Sequence, residues 1–139
     1  MRFHIRPIEY FHTQVPDVPG EAHKLLATLA EGGINLLAFT AVPCGPMRTQ
    51  LTLFPEEPAQ IAREAARSGI RLDGPHRALL VRGDDRLGAF ADIHRRLYHA
   101  GVNVYASSGI VDAAGSYGYV LYVRPEEFTR AVEALRLDA

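Results

Sequence analysis

The sequence predicts an α+β protein that consists of two tandem βαββαβ units. Three observations lead to this prediction: an internal repeat with a period of 68 residues, strand and helix signals in the same order in both copies, and an ordinary globular composition. Of the 139 residues, 47% are hydrophobic and 22% are charged, which is close to the average for folded domains. A chain of this length can bury one ordinary core or two small ones.

The repeat is visible when the sequence is shifted by 68 residues against itself. Without a gap, the shift aligns Asp17 with Asp85, Gly20 with Gly88, Leu29 with Leu97, and Gly33-Ile34-Asn35 with Gly101-Val102-Asn103. Farther on, Pro55-Glu56-Glu57 matches Pro125-Glu126-Glu127 at a shift of 70, which predicts two extra residues in the turn at 112–116. Fixed-period similarity indicates duplicated structural units. We therefore expect a first unit over residues 1–75 and a second unit over residues 76–139.

The first copy carries the signals of a complete unit. A β-rich run at 9–15 leads into a Pro/Gly breaker, in which Asp17 is a candidate helix cap. Leu25, Leu26 and Leu29 then recur with helical spacing up to Gly32-Gly33, which predicts an amphipathic helix with glycine C-caps. The remaining elements are predicted as strands at 34–42 and 48–54 joined in a hairpin, a helix at about 56–67, and a short closing strand at 70–73.

The second copy repeats this order but lacks its last strand. We predict a strand at 78–82, a helix at 87–100, strands near 102–111 and 117–124, and a helix at 126–136. Too few residues follow for a closing strand. Phe3 and Ile5 alternate within residues 2–6, so we expect this segment, or a partner subunit, to cover the open edge. The predicted architecture is ferredoxin-like, with antiparallel sheets and the helices on one face.

Composition excludes several classes of function. The net charge of −1 gives no cationic surplus for binding nucleic acid. No run approaches the ~20 apolar residues that span a bilayer, and the N-terminal residues lack the apolar stretch typical of a signal peptide, so we expect a soluble cytoplasmic protein. The only cysteine, Cys44, cannot form an intrachain disulfide. The histidines lack the spacing of metal ligands, so neither a metal nor a cofactor is expected.

The motifs of both copies resemble those of ACT domains. The pattern is a strand, Asp-x-Pro-Gly, an amphipathic helix and Gly-Ile-Asn opening the next strand. The first copy has Asp17-Val18-Pro19-Gly20, Leu25, Leu29 and Gly33-Ile34-Asn35, and the second has Asp85, Gly88, Ile93, Leu97 and Gly101-Val102-Asn103. The resemblance covers nearly the whole chain and departs from the family at Leu87, where proline is expected, and in the short C-terminus.

The resemblance implies that the units pair side by side and bind a small effector, commonly an amino acid, where a strand–helix loop meets a neighbouring unit. A helix N-terminus offers backbone N–H groups to a carboxylate, and Asn or Asp oxygens can accept from an ammonium group. The predicted ligand-binding residues are Asp17, Val18, Pro19, Gly20, Asn35, Asp85, Arg86, Leu87, Gly88 and Asn103. Capping and turn formation compete with ligand binding at the Asp and Asn positions.

Other polar residues receive structural interpretations. His94 takes the apolar-face position of Leu26 in the first copy and is interpreted as a packed or interface histidine. The tyrosines of the second copy are interpreted as sheet packing, and Ser107-Ser108-Gly109 is a candidate pocket wall or an exposed strand end. No catalytic residues are identified.

The leading functional prediction is therefore a non-enzymatic regulatory protein that binds an amino acid, forms a homodimer and acts on a metabolic enzyme. Two alternatives stay open: an assembly subunit without a small ligand, and an enzyme on the same scaffold.

Overall fold

The computed structural model describes residues 3–136. Its strands are β1 (Phe3–Pro16), β2 (Leu36–Pro43), β3 (Arg48–Pro55), β4 (Asp73–Asp84), β5 (Val104–Val111) and β6 (Ser116–Val123). Its α-helices are α1 (Glu21–Glu31), α2 (Pro58–Ser68), α3 (Ala89–His99) and α4 (Phe128–Arg136). The α+β class is thus confirmed. No helix within residues 3–136 has the length and apolar character needed to cross a membrane.

The chain folds as two compact units. The first unit is Glu9–His76, and the second unit combines residues 3–8 with residues 77–136. The transition at His76 lies next to the expected boundary at residue 75. Residues 3–8, expected in the first unit, instead belong to the second, because Phe3 and Ile5 pack in the core of the second unit.

The first unit runs β, α, β, β, α, β along the chain, with strand order β2-β3-β1-β4. β3 lies antiparallel to both β1 and β2, with Phe11 opposite Leu53 in the β1–β3 pair. Alternate strand residues point to the same side of a sheet, and here they pack with residues of α1 and α2. This core consists of Phe11, Val15, Leu29, Ile34, Leu51, Leu53 and Ile61.

The second unit has the strand order β1-β4-β6-β5, in which residues 3–8 of β1 form the strand beside β4. Phe3 is only 3% exposed and belongs to a core that includes Leu79, Ile93 and Leu121, with Ile5 packed against it. The expectation that the N-terminal segment covers the open edge is confirmed for residues 3–6; Arg2 lies outside the described residues.

Strand pairing shows that the 68-residue repeat continues without a gap through the second hairpin. Phe11 opposes Leu53 and Leu79 opposes Leu121, so both partners are shifted by 68. Each hairpin also has an irregularity at the equivalent place, between Leu36 and Ala38 and between Val104 and Ala106. The backbone of the hairpin is therefore the same in both units.

The prediction of two extra residues in the turn at 112–116 is wrong. Four residues separate Val123 from Phe128, whereas two separate Pro55 from Pro58. The additional pair accommodates the 3₁₀ turn Pro125–Glu127 that leads into α4. The two Pro-Glu-Glu sequences are not structurally equivalent. Pro55 is the last residue of β3, whereas Pro125 lies two residues after the end of β6.

The first helix of each unit ends in the same way. The Ile34 N–H donates to the Leu29 carbonyl, and the Val102 N–H donates to the Leu97 carbonyl, each at 2.9 Å. The intervening Gly33 and Gly101 have φ values of 80° and 71°, as a Schellman C-cap requires. The C-cap prediction is confirmed at these two positions.

Candidate functional site

The loop between β1 and α1 holds the predicted site residues of the first unit. The Asp17 N–H donates to the Met47 carbonyl at 2.9 Å, and the Val18 side chain is exposed. The N-cap of α1 is Gly20, and no side chain caps the helix. The interpretation of Asp17 as an N-cap is therefore wrong. An N-cap at Asp17 would start the helix at residue 18, whereas α1 starts at Glu21. A ligand role for Asp17, Val18, Pro19 and Gly20 stays a prediction.

The two predicted asparagines lie beside the start of the second helix of their own unit. Asn35 Nδ2 donates to Glu56 Oε2 at 2.6 Å, and the Asn35 carbonyl accepts from the Glu56 N–H at 2.8 Å. The Asn103 N–H donates to Glu127 Oε1 at 2.9 Å. These bonds tie a strand start to the segment before a helix, which is turn stabilisation. Ligand binding by either asparagine stays a prediction.

The loop between β4 and α3 borders a cavity in the second unit. This loop cavity has a volume of about 160 Å³ and is lined by Asp85, Arg86, Gly88, Ala89, Phe90 and Ala91. The structure thus brings together three residues of the predicted set, whereas Leu87 points away and is fully exposed. α3 begins after Gly88 without a side-chain cap, so Asp85 is not an N-cap either.

A second cavity lies at the end of β4, next to the same junction. This strand cavity has a volume of about 290 Å³ and is lined by His4, Arg82, Gly83, Asp84, Ser116 and Tyr117. Asp84 lines this cavity and the next residue, Asp85, lines the loop cavity. Two carboxylates and the guanidinium groups of Arg82 and Arg86 therefore surround one strand–helix junction, an arrangement that offers partners to both ends of a zwitterion.

Aromatic side chains connect the two cavities. Phe90 of the loop cavity meets Tyr117 of the strand cavity edge to face, with ring centroids 5.2 Å apart, and stacks on Tyr119 at 4.4 Å. A Cβ atom on Gly109 would lie 2.8 Å from Tyr119 and 2.9 Å from Phe90. Gly109 on β5 is therefore needed for the close approach of these two rings.

The stacked Tyr119 also centres a hydrogen-bonded chain. Its hydroxyl lies 2.6 Å from His94 Nε2 and donates to Ser107 Oγ at 3.1 Å. The chain joins α3, β6 and β5. His94 is partly buried, as its interpretation as a packed histidine requires, and Ser107 is exposed on its strand.

The surroundings of Tyr117 change the pKa of its phenol. Burial raises the pKa of Tyr117 above 10.0, and the nearby Arg86 charge opposes this shift. The phenol therefore stays protonated at neutral pH and can donate a hydrogen bond.

The first unit has no counterpart of this aromatic and polar cluster. At the positions equivalent to Phe90, His94, Ser107, Tyr117 and Tyr119 it has Ala22, Leu26, Phe39, Thr49 and Leu51. The interpretation of the tyrosines as sheet packing agrees with the burial of Tyr117 and Tyr119 in the core of the second unit. It did not include the contribution of Tyr117 to the strand cavity. The signal available in the sequence was the replacement of small or apolar residues by aromatic and polar ones at a gapless shift of 68.

A metal centre finds no support in the described chain. Within residues 3–136, no three His, Cys, Asp or Glu side chains gather closely enough to hold an ion.

No protein-family model matches the chain, and no curated protein matches its sequence. Its fold, in contrast, has clear relatives among solved structures. Protein BT0572 from Bacteroides thetaiotaomicron is 14% identical, with 95% of this chain and 88% of that chain covered and a TM-score of 0.82. The regulatory subunit of aspartate kinase from Thermus flavus is 18% identical, with 96% and 93% covered and a TM-score of 0.61.

A structure of the aspartokinase alpha and beta subunits is also 18% identical, with 97% of this chain and 95% of that chain covered and a TM-score of 0.66. At such identities the comparisons show the fold. The chain therefore has the fold of aspartate kinase regulatory subunits, which confirms at that level the resemblance to tandem ACT domains.

Proposed function

We propose that this chain is a non-enzymatic, cytoplasmic regulatory protein that binds a free amino acid at the strand–helix junction of its second unit. The observation that carries the proposal is the pair of cavities on either side of Asp84 and Asp85, with charges of both signs in their walls. The fold shared with regulatory subunits of aspartate kinase supports it.

Each part of an amino acid has a partner of suitable chemistry at this junction. Arg86 and the backbone N–H groups at the start of α3 suit the carboxylate, and Asp84 or Asp85 suits the ammonium group. Phe90 offers an apolar wall to the side chain. In the first unit, Val18 replaces Arg86, so we assign binding to the second unit.

We further propose that the protein forms a homodimer through β5, which is an edge strand of the second unit. Ile110 is 75% exposed, and Tyr105 and Val111 on the same strand are also exposed. An exposed apolar edge strand is a template for pairing with another chain. Ser107 lies on β5 and is joined through Tyr119 to the ring of Phe90, which gives a contact route from the loop cavity to this edge.

The same exposed strand favours one alternative, an assembly subunit that docks on a metabolic enzyme and binds no small ligand. A thermal-shift screen with each of the twenty amino acids separates the two functions. An effector at about 100 times its Kd adds ~2.7 kcal/mol to the stability of the folded protein. Selective stabilisation by one or a few amino acids supports the sensor, and the absence of any shift supports the assembly subunit.

A matched pair of loop variants tests the position of the site. Arg86→Ala removes the cation of the loop cavity, whereas Val18→Ala changes the equivalent loop position of the first unit. We expect the effector-induced shift to disappear in Arg86→Ala and to persist in Val18→Ala. The reverse result would move the site to the first unit.

A further inference from the structure

A groove between α3 and α4 of the second unit shares no lining residue with the two cavities of the candidate site. This α3–α4 groove has a volume of about 390 Å³ and is lined by Arg95, Arg96, His99, Ala100, Arg130, Glu133 and Ala134. With His99 neutral, its three arginines and one glutamate give a net charge of +2, whereas the whole chain has a net charge of −1. Positive charge is therefore concentrated in a groove whose volume is typical of small-molecule sites.

The first unit has a carboxylate of its own at the equivalent place. Its second helix starts at residue 58 and α4 starts at residue 128, which places Ala134 at the position of Glu64. Gly32 and Ala100 are equivalent as well, since each N–H donates to the carbonyls three and four residues before it. Glu64 is 7% exposed and lies directly over Gly32, where a Cβ atom would be 2.4 Å from Glu64 Oε1. The second unit has two alanines at these positions, and both line the open groove.

The basic residues of the groove have no basic counterparts in the first unit. At shifts of 68 and 70, the positions of Arg95, Arg96, His99 and Arg130 are taken by Ala27, Thr28, Glu31 and Gln60. The first unit thus places an internal anion between its two helices, whereas the second unit presents cations there to an anion from solution.

Asp92 and the core hold two of the guanidinium groups in position. Asp92 accepts from Arg95 Nη2 at 2.5 Å and from Arg96 Nε at 3.1 Å. The hydrogen bond from Arg95 lowers the pKa of Asp92, so this carboxylate stays ionised at neutral pH. The Arg96 side chain is 12% exposed and lies over the ring of Phe3, 5.1 Å from its centroid. A cation with little exposure to water attracts an anion more strongly, and a preorganised guanidinium loses less entropy on binding.

We infer that the α3–α4 groove binds the phosphoryl group of a small phosphorylated metabolite. Guanidinium groups recognise phosphate oxygens through paired N–H donors. Arg95 and Arg96 line the groove from α3 and Arg130 lines it from α4, so the donors come from two sides. This arrangement suits the three terminal oxygens of a phosphoryl group better than the two coplanar oxygens of a carboxylate. Glu127 Oε2 lies 3.7 Å from Arg130 Nη2, which is longer than a hydrogen bond. The inference does not depend on the amino-acid site proposed above.

Titration calorimetry with inorganic phosphate, in chloride buffer of constant ionic strength, tests the inference on the natural protein and two variants. Ala134→Glu places the carboxylate of the first unit in the second groove, and we expect it to abolish phosphate binding. Arg130→Gln leaves the groove open and removes one cation from a side chain that is 52% exposed. We expect its Kd for phosphate to rise about 10-fold through the loss of one charged hydrogen bond.

Arg63→Gln is the matched control, since it removes an exposed arginine from α2 at the position equivalent to Glu133. Its Kd for phosphate should stay within about twofold of the natural value. The absence of saturable phosphate binding by the natural protein, or an unchanged Kd in both Ala134→Glu and Arg130→Gln, would overturn the inference. Tighter binding of succinate than of phosphate would also overturn it, because the groove would then select a dicarboxylate.

Discussion

The two units of this protein have the same backbone arrangement but different side chains in their cores. Both begin their first helix at a glycine, end it in a Schellman turn, and continue into a hairpin of the same length with an irregularity at the same place. The side chains at the helix–sheet contact differ: Leu26 and Leu51 of the first unit are replaced by His94 and Tyr119 in the second. Backbone geometry has thus been retained where side-chain chemistry has diverged.

This difference has a physical reason. Turns and caps depend on a few residues with special backbone conformations, so a substitution there changes the path of the chain. A polar residue at a core position destabilises the fold least when its hydrogen bonds are satisfied, and His94, Tyr119 and Ser107 are hydrogen-bonded to one another. The second unit could therefore acquire polar groups near its loop without losing the fold.

The largest effect is expected where the second unit depends on the N-terminal strand. Phe3→Ala removes a ring that is 3% exposed within the core of the second unit, and burial of this kind contributes about 3–5 kcal/mol. We expect a lower urea midpoint for the second unit, followed by the near-ultraviolet signal of its tyrosines. His4→Ala, an exposed neighbour on the same strand, is the control, and equal losses in both variants would contradict the assignment of Phe3 to this core.

A double-mutant cycle on His94 and Tyr119 tests whether the members of the hydrogen-bonded chain stabilise the fold cooperatively. We expect His94→Leu, which restores the residue type of the first unit, and Tyr119→Phe each to lower the free energy of unfolding by about 1–2 kcal/mol. Their coupling should be at least about 0.5 kcal/mol, since the two side chains are in direct contact. If the losses of unfolding free energy are additive in denaturant unfolding, the hydrogen bond between His94 and Tyr119 contributes nothing to stability. Tyr98→Phe, on the exposed face of α3, is the control that should leave the stability unchanged.

The smallest expected effect is the pH dependence of the stability of the first unit, which involves His12. Burial and the neighbouring His76 lower the pKa of His12 below 6.5, so the folded state favours neutral His12. The stabilisation is complete above pH 6.5 and is lost as the pH falls through the lowered folded-state value. In the second unit Leu80 takes the equivalent position.

We therefore expect His12→Leu to reduce the loss of stability between pH 8 and pH 5, whatever it costs at pH 8 through the lost Thr52 hydrogen bond. The measurement is the urea midpoint at both pH values. His23→Gln, an exposed substitution on α1, should leave the pH dependence as it is. An unchanged dependence in His12→Leu would assign the acid sensitivity to other groups.

The order of elements was predictable because each strand and helix carries its own periodicity and its own stop signal. The glycines at 33 and 101 and the repeat of 68 residues indicate the duplicated arrangement from the sequence alone. The helix caps were not predictable from Asp17 and Asp85, because in the sequence an Asp three residues before the N-cap looks like an Asp at the N-cap itself. The length of the second hairpin was predicted wrongly for a similar reason. The two Pro-Glu-Glu tripeptides match in sequence, but the match does not show how far each one lies from the end of β3 or β6.

The candidate site was predictable only in part. The strand–helix loop of the second unit, with Asp85, Arg86 and Gly88, borders a cavity as a site would. Phe90 and Tyr117 were missed because they belong to different elements and meet only after the sheet has formed. No local pattern distinguishes a tyrosine that packs from one that lines a cavity.

The sequence by itself determined the class of fold, the duplication and the C-caps of the first helices, since these depend on residues close together in the chain. Only the tertiary structure decided that residues 3–8 complete the second unit and that Tyr117 lies across Gly83 with its hydroxyl unpartnered among the described residues. Both outcomes depend on contacts between distant segments, whose geometry is set by strand order and register rather than by local propensity.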